Sequence, residues 1–184
     1  MRVLGFGKRK TDLQERFEKI DKVFDVSELL ELTPDLEYIK EYYTQSKWAY
    51  SLFYSKEDLL HMGISEDGNL RKEDLIENIK IVEEYIIKAD AKKVLELGAG
   101  RGSNSFYLAK VFPTVDFLDI DITPAQLEVA LEKSQGMENL KVRLGDFNKL
   151  EGIEDNFYDV VFMVETLCHA HEKRNVLKEV YRVL

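Results

Sequence analysis

The fold turns on the run Val94-Leu95-Glu96-Leu97-Gly98-Ala99-Gly100-Arg101-Gly102. An apolar strand-like segment ends in a carboxylate, and three glycines at alternate positions then open a helix. Glycine accepts φ > 0 and carries no Cβ, so a ligand can come close to the backbone there. The helix that follows turns its unpaired N–H groups and positive dipole end toward the same point. A dinucleotide-binding turn requires G-x-G-x-x-G. Here the third glycine comes one residue early, and Ser103 stands where that pattern wants it. Glu96 also suits a ligand carrying a cation better than one carrying a pyrophosphate. A tight strand-to-helix turn without a ligand is the plain alternative, and E-x-G-x-G-x-G directly after a strand weighs against it.

On either side of this run the texture changes. From Lys92 onward, strand-like segments at 93–97, 115–120, 140–144 and 158–164 alternate with helix-like segments at about 103–111, 124–135 and 171–183. Strict alternation predicts an α/β, Rossmann-like parallel sheet of about four strands with helices on its faces. From Thr11 to about Ala89 the pattern is helical, rich in Glu, Lys and Tyr. Leu13, Phe17, Ile20 and Phe24 share one face, and Thr33-Pro34 marks a helix start. An aromatic helix follows, with Tyr38, Tyr42, Tyr43, Trp48, Tyr50, Phe53 and Tyr54; Leu70 to Lys88 reads as one amphipathic helix. The expected organisation is a helical cap over residues 1–89 and a sheet domain over 90–184. No Pro/Gly-rich linker separates them, so the cap is expected to pack on the sheet.

Two further carboxylates follow strands in the same way. Asp119-Ile-Asp121-Ile122-Thr-Pro124 places an acid about twenty residues past the glycines, where a parallel-sheet nucleoside site takes the ribose hydroxyls. Asp119 and Asp121 both compete for that role, and Thr123-Pro124 is expected to cap the next helix. Asp146-Phe147, after the third strand, offers an acceptor for an exocyclic amine beside an apolar ring. Together the three signals describe a nucleoside pocket along the carboxyl edge of the sheet.

From Lys92 to Leu184 the order of these motifs resembles the class I S-adenosylmethionine-dependent methyltransferases of the small-molecule type. The resemblance implies S-adenosylmethionine as cofactor. Glu96, Gly98, Ala99, Gly100 and Gly102 are similar to the first motif, which holds the methionine end. Asp121 is similar to the ribose-binding acid, with Ile122 against the adenine and Asp146 and Phe147 at its amine and ring edge. Tyr158 to Val164 and Glu165 resemble the fourth motif, at the methyl-transfer face. Glu165-Thr-Leu-Cys-His169 is similar to the Glu-x-x-x-His pattern of the sterol and tocopherol groups, which implies Glu165 and His169 as catalytic candidates. Tyr43, Tyr50 and His61 correspond to the aromatic cap of those enzymes and are candidate acceptor contacts. The family has seven strands, so the resemblance also implies that three C-terminal strands are absent. The strand at 158–164, apolar on both faces, would then need self-association or a partner chain to cover it.

Composition narrows the function classes. The chain has 184 residues, a formal charge of -9 and 45% hydrophobic residues, which suit one packed acidic domain. An acidic balance argues against nucleic-acid or anionic-membrane partners. One cysteine permits no internal disulfide, and the crowding of Cys168, His169, His171 and Glu172 fits no metal-ligand spacing, so no metal is expected. A cytoplasmic enzyme transferring a methyl group to a small molecule is the leading expectation. A cofactor-binding module that needs a partner chain and an NAD-linked oxidoreductase are the alternatives.

Overall fold

The computed structural model describes residues 13–31, 34–46, 58–65, 67–69 and 71–184. Trp48, Tyr50, Phe53, Tyr54 and Thr33 lie outside these residues. The chain forms two compact units that divide between Asp35 and Leu36. The first holds α1 (Leu13–Asp21) and α2 (Val26–Glu31). Within α1, Lys19 Nζ donates to Glu15 Oε1 at 2.8 Å, one helical turn away.

The second unit contains the sheet together with α3 (Leu36–Gln45) and residues 58–88, so the expected boundary at 89/90 is not where the contacts divide. The reason is visible in α4 (Glu77–Lys88): Ile79, Val82 and Ile86 recur on one face and join a core with Val94, Phe117 and Leu108. Cutting the chain at residue 89 would expose that face. The helix expected from Leu70 starts late, because residues 72–76 form a 3-10 turn. There Asp74 Oδ2 accepts from Arg71 N at 2.8 Å, and the Asp74 carbonyl accepts from Ile64 N at 3.0 Å. A carbonyl serving a neighbouring segment is a poor start for a regular α-helical ladder.

Four parallel strands, β1 (Lys93–Leu97), β2 (Asp116–Asp121), β3 (Leu140–Leu144) and β4 (Val160–Phe162), lie in the order β3-β2-β1-β4. β1 is buried along nearly its whole length because both faces are covered. Val94 and Phe117 pack with α4 and α5 (Ser103–Val111) on one face. Leu95, Leu97 and Ile120 pack on the other face with Val183 of α7 (Lys173–Val183). α6 (Pro124–Ser134) completes the first layer against β2 and β3. β4 is shorter than the seven-residue run expected, and it is an edge strand among the described residues. Its pairing ends at Phe162 opposite Glu96, three residues before Glu165 turns the backbone to φ 54°. The strand order reverses between β1 and β4, and in open α/β sheets ligands bind at such a crevice beyond the carboxyl ends of the strands.

Gly102 shows how closely the layers approach. It sits at φ 67° immediately before α5, where a Cβ would lie 2.9 Å from Ala130 Cβ and 3.0 Å from Asp119 Oδ2. Gly102→Ala is expected to lower the unfolding free energy by about 2–4 kcal/mol, from left-handed strain plus overpacking. Urea denaturation measures this, and a loss below about 0.5 kcal/mol would contradict the packing account.

Candidate active site

One cavity of about 880 Å³, counted with its open mouth, lies over the carboxyl ends of the strands. Its wall draws on every strand end: Gly98 to Arg101 after β1, Asp121 to Thr123 after β2, Asp146 and Phe147 after β3, and Val164 to Thr166 with His169 after β4. α3 adds Tyr43, and the segment preceding α4 adds residues 58–61.

Asp121 is the organising carboxylate. Its Oδ2 accepts from Gly100 N and its Oδ1 from Thr123 N, both at 2.8 Å, so one side chain holds the turns after β1 and β2 together. Thr123 occupies the helix-start position, but its side chain makes no capping bond; its N–H serves Asp121 instead. Gly100, at φ 55°, leaves its Cβ position open toward the cavity, with only Leu60 Cδ1 among the described residues within 4 Å, at 3.8 Å. Gly98 has a different duty: a Cβ there would strike Thr166 at 2.6 Å. Ala99, Ile122, Asp146, Phe147 and Val164 all line the cavity. Asp146 uses Oδ1 for Asn148, whose N and Nδ2 donate at 2.8 and 2.7 Å.

Glu96 and Gly102 stand elsewhere. Neither is among the residues lining the cavity. Glu96 is buried behind the glycine turn, where Asn104 Nδ2 donates to Oε1 at 2.7 Å and Ser105 Oγ to Oε2 at 2.6 Å. It anchors the first turn of α5, which a strand-end carboxylate read from sequence alone does not disclose. Asp119 lies opposite Glu96 in the strand register and is 0% exposed. Among the described residues neither of its oxygens has a hydrogen-bond partner, the nearby Ser105 hydroxyl being committed to Glu96. Asp121 is therefore the acid that faces the cavity, and Asp119 is the one turned inward.

His61 lines the cavity but is buried, and its ring is engaged on both sides. Nε2 donates to Asn104 Oδ1 at 3.2 Å, because the amide of Asn104 is already oriented by its bond to Glu96. Nδ1 then accepts from Asn78 Nδ2 at 3.2 Å. The next residue, Met62, donates its N–H to Glu165 Oε1 at 2.9 Å. A continuous polar chain thus runs from Glu96 behind the glycine turn to Glu165 at the mouth. His61 holds this segment in place, and Tyr50 lies outside the described residues.

At the mouth, Tyr43 Oη and His169 Nε2 share a hydrogen bond of 2.9 Å. Burial pushes the Tyr43 phenol up to about 12, helped by the neighbouring Tyr42, Cys168 and carboxylates. The phenol therefore keeps its proton throughout the physiological range. Among the wall residues not foreseen from sequence are Asp58, Arg101 and Gln126. Arg101 is 2% exposed, pairs with Asp58, and donates from Nε to Gln126 Oε1 at 3.0 Å; Lys133 Nζ completes the cluster 2.9 Å from Asp58 Oδ2. An arginine between Gly100 and Gly102 was the available signal. No group of three potential metal ligands occurs among the described residues. Nor is any of their helices long and apolar enough to cross a membrane.

The cavity residues fit S-adenosylmethionine: Asp121 to accept from hydroxyls, Gly100 to admit the ligand, Asp146 to accept from an amine, and Ile122 and Phe147 as apolar walls. Comparisons with known proteins point the same way. Residues 88–184, slightly more than half of the chain, match a family model described as a methyltransferase domain. Phosphoethanolamine N-methyltransferase 3 of Arabidopsis thaliana is 30% identical over 110 residues, 58% of this chain and 22% of that protein. Sarcosine/dimethylglycine N-methyltransferase of Aphanothece halophytica is 34% identical over 94 residues, 50% of this chain and 34% of that protein. The matched part of the chain thus spans only about a fifth to a third of the length of these relatives. A solved structure from Galdieria sulphuraria, provisionally assigned as a sarcosine dimethylglycine methyltransferase, superposes with a TM-score of 0.67 at 26% identity. The superposition covers 78% of this chain and 56% of that one.

The buried carboxylates make stability depend on pH. Burial pushes the Glu96 carboxyl up to about 7, and burial plus the charge of Glu96 holds Asp119 well above the usual carboxylate range. Both folded values lie above the unfolded ones, so the native state binds more protons and stability falls as pH rises from about 4 through 7. Asp119→Asn removes the repulsion, and it is expected to raise the unfolding free energy at pH 7.5 and to flatten its decline with pH. Thermal melts at pH 5 and 7.5 check this. An equal or steeper decline in the variant would contradict it.

Proposed function

Because this chain belongs to the methyltransferase-domain family, we propose that it transfers a methyl group from S-adenosylmethionine to a small-molecule acceptor. The observation that carries the reading is the Asp121 carboxylate, fixed between Gly100 and Thr123 on the wall of a cavity built from four strand ends. When bound, the cofactor supplies an activated methyl on a sulfonium. The protein's part is to hold donor and acceptor in register and to exclude water, which can supply much of the acceleration.

An amine nitrogen is the nucleophile this mouth suits. Glu165 offers a carboxylate and Tyr43 an aromatic ring, both of which attract a cationic or partly cationic head. Two relatives named for N-methylation, of phosphoethanolamine and of sarcosine/dimethylglycine, support the same acceptor class. An ammonium must lose a proton before its lone pair can attack. His169 Nε2 is placed to take it, once the acceptor displaces the Tyr43 phenol from that nitrogen. Met62 N–H fixes Glu165 Oε1 so that the carboxylate stays at the mouth.

Titration calorimetry with S-adenosylhomocysteine is expected to give one site. Asp121→Ala should weaken it by at least about tenfold, the scale of a lost hydrogen bond to a charged group. In a turnover assay with small primary, secondary and tertiary amines, His169→Ala should lower kcat by about a hundredfold or more while leaving S-adenosylhomocysteine affinity unchanged. Absence of binding by folded protein would sink the cofactor assignment; binding without turnover on any amine would point to a cofactor-holding module.

A further inference from the structure

The charges along the cavity wall are unevenly compensated. Four of the described wall residues are carboxylates: Asp58, Asp121, Asp146 and Glu165. Asp58 is neutralised where it stands. Arg101 pairs with its Oδ1, and Lys133 Nζ lies 2.9 Å from its Oδ2. Arg101 also donates from Nε to Gln126 Oε1 at 3.0 Å, and Lys133 donates to Ser103 Oγ at 2.6 Å. The other three carboxylates receive hydrogen bonds from neutral donors only, among the described residues. Asp121 accepts from Gly100 N and Thr123 N, Asp146 from Asn148, and Glu165 from Met62 N. Such bonds orient a carboxylate and leave its charge in place, so the wall is anionic.

That charge is felt at the reacting end of the site. Burial is the main reason the Tyr43 phenol is pushed up, and the charges of Asp121 and Glu165 add to it. Tyr43 Oη lies 2.9 Å from His169 Nε2, the atom placed to take the proton of an acceptor ammonium. We infer that the acceptor is an amine bearing no anionic group, such as an amino alcohol, and that Glu165 is the residue that selects it. The inference rests on the methyl-transfer reading above and narrows its acceptor class. An ammonium arriving beside Glu165 meets an opposite charge. A carboxylate or phosphate on the same small molecule would meet like charges instead, and the described wall arginine is already held by Asp58. Juxtaposed like charges are an effective means of rejecting a wrong partner.

Matched compounds isolate the charge. N-methylethanolamine against sarcosine, and N,N-dimethylethanolamine against dimethylglycine, each exchange a hydroxymethyl group for a carboxylate. Calorimetry on protein saturated with S-adenosylhomocysteine reads their binding, and mass spectrometry with S-adenosylmethionine reads their methylation. Each amino alcohol is expected to bind about tenfold more tightly than its acid partner and to show the higher kcat/KM. The gap should narrow as ionic strength rises from about 0.05 to 0.5 M. Glu165→Gln, which keeps an acceptor for Met62 N, should weaken the amino alcohols by about fivefold and shrink the gap. Equal affinities within a pair, tighter binding of the acids, or a gap unchanged in the variant would overturn the inference. So would failure of every amine to bind the loaded protein. If folded protein did not bind S-adenosylhomocysteine at all, the cofactor reading would fall first and this inference with it.

Discussion

The two hydrogen bonds that Asp121 accepts, from Gly100 N and Thr123 N, are the constraint on which the rest of the site depends. A glycine turn at positive φ has little intrinsic preference for one shape, and Gly98 and Gly100 both adopt such angles. A charge-assisted bond from the next strand's end removes that freedom. The same carboxylate fixes the entry to α6, and with it Gln126. Rigidity at this point joins the ends of β1 and β2 into one wall, which is what orientation-based chemistry requires.

Around this anchor the interior is more polar than a sheet core needs to be. Glu96, Asn104 and His61 form a buried chain that continues through Met62 to Glu165. Such networks are stabilising only when every member is satisfied, and Asp119 beside Glu96 has no hydrogen-bond partner among the described residues. The arrangement sacrifices stability for position: Glu96 holds the start of α5, His61 holds the segment before α4, and that segment holds Glu165. Glu165 itself sits at φ 54°, a strained angle for a residue with a side chain. Strain of this kind persists where the surroundings over-determine it. Met62 N–H on its carboxylate and the Thr166 hydroxyl on the Leu97 carbonyl, at 2.9 Å, are two of the determining contacts.

Much of the α/β half was legible in the sequence, because strand, glycine turn and acid each leave a local mark. β1 and β3 fall where they were expected, and Asp121, Ile122, Asp146 and Phe147 line the cavity. What was not legible is long-range. Nothing in Asp58 or Gln126 announces that they meet around Arg101, forty-three and twenty-five residues away in sequence. The inward turn of Glu96 depends on Ser105 and Asn104, and the strand pattern gives only its position. α4 has the texture of the helical half and the packing of the sheet half, so sequence texture and contacts divide the chain at different places. The apolar run ending at Val164 outlasts β4 because Met163 packs in the core and Val164 walls the cavity instead of extending the ladder.

The central claim is one of location: a nucleoside-bearing methyl donor lies across the carboxyl ends of β1, β2 and β3, against the turns that Asp121 joins. Amide chemical-shift mapping during titration with S-adenosylhomocysteine tests it most directly. The account predicts saturable shifts of Gly98, Gly100, Ile122 and Phe147, with Leu177 and Tyr181 on α7 unmoved. Shifts concentrated on α7, or none at saturating ligand, would contradict it.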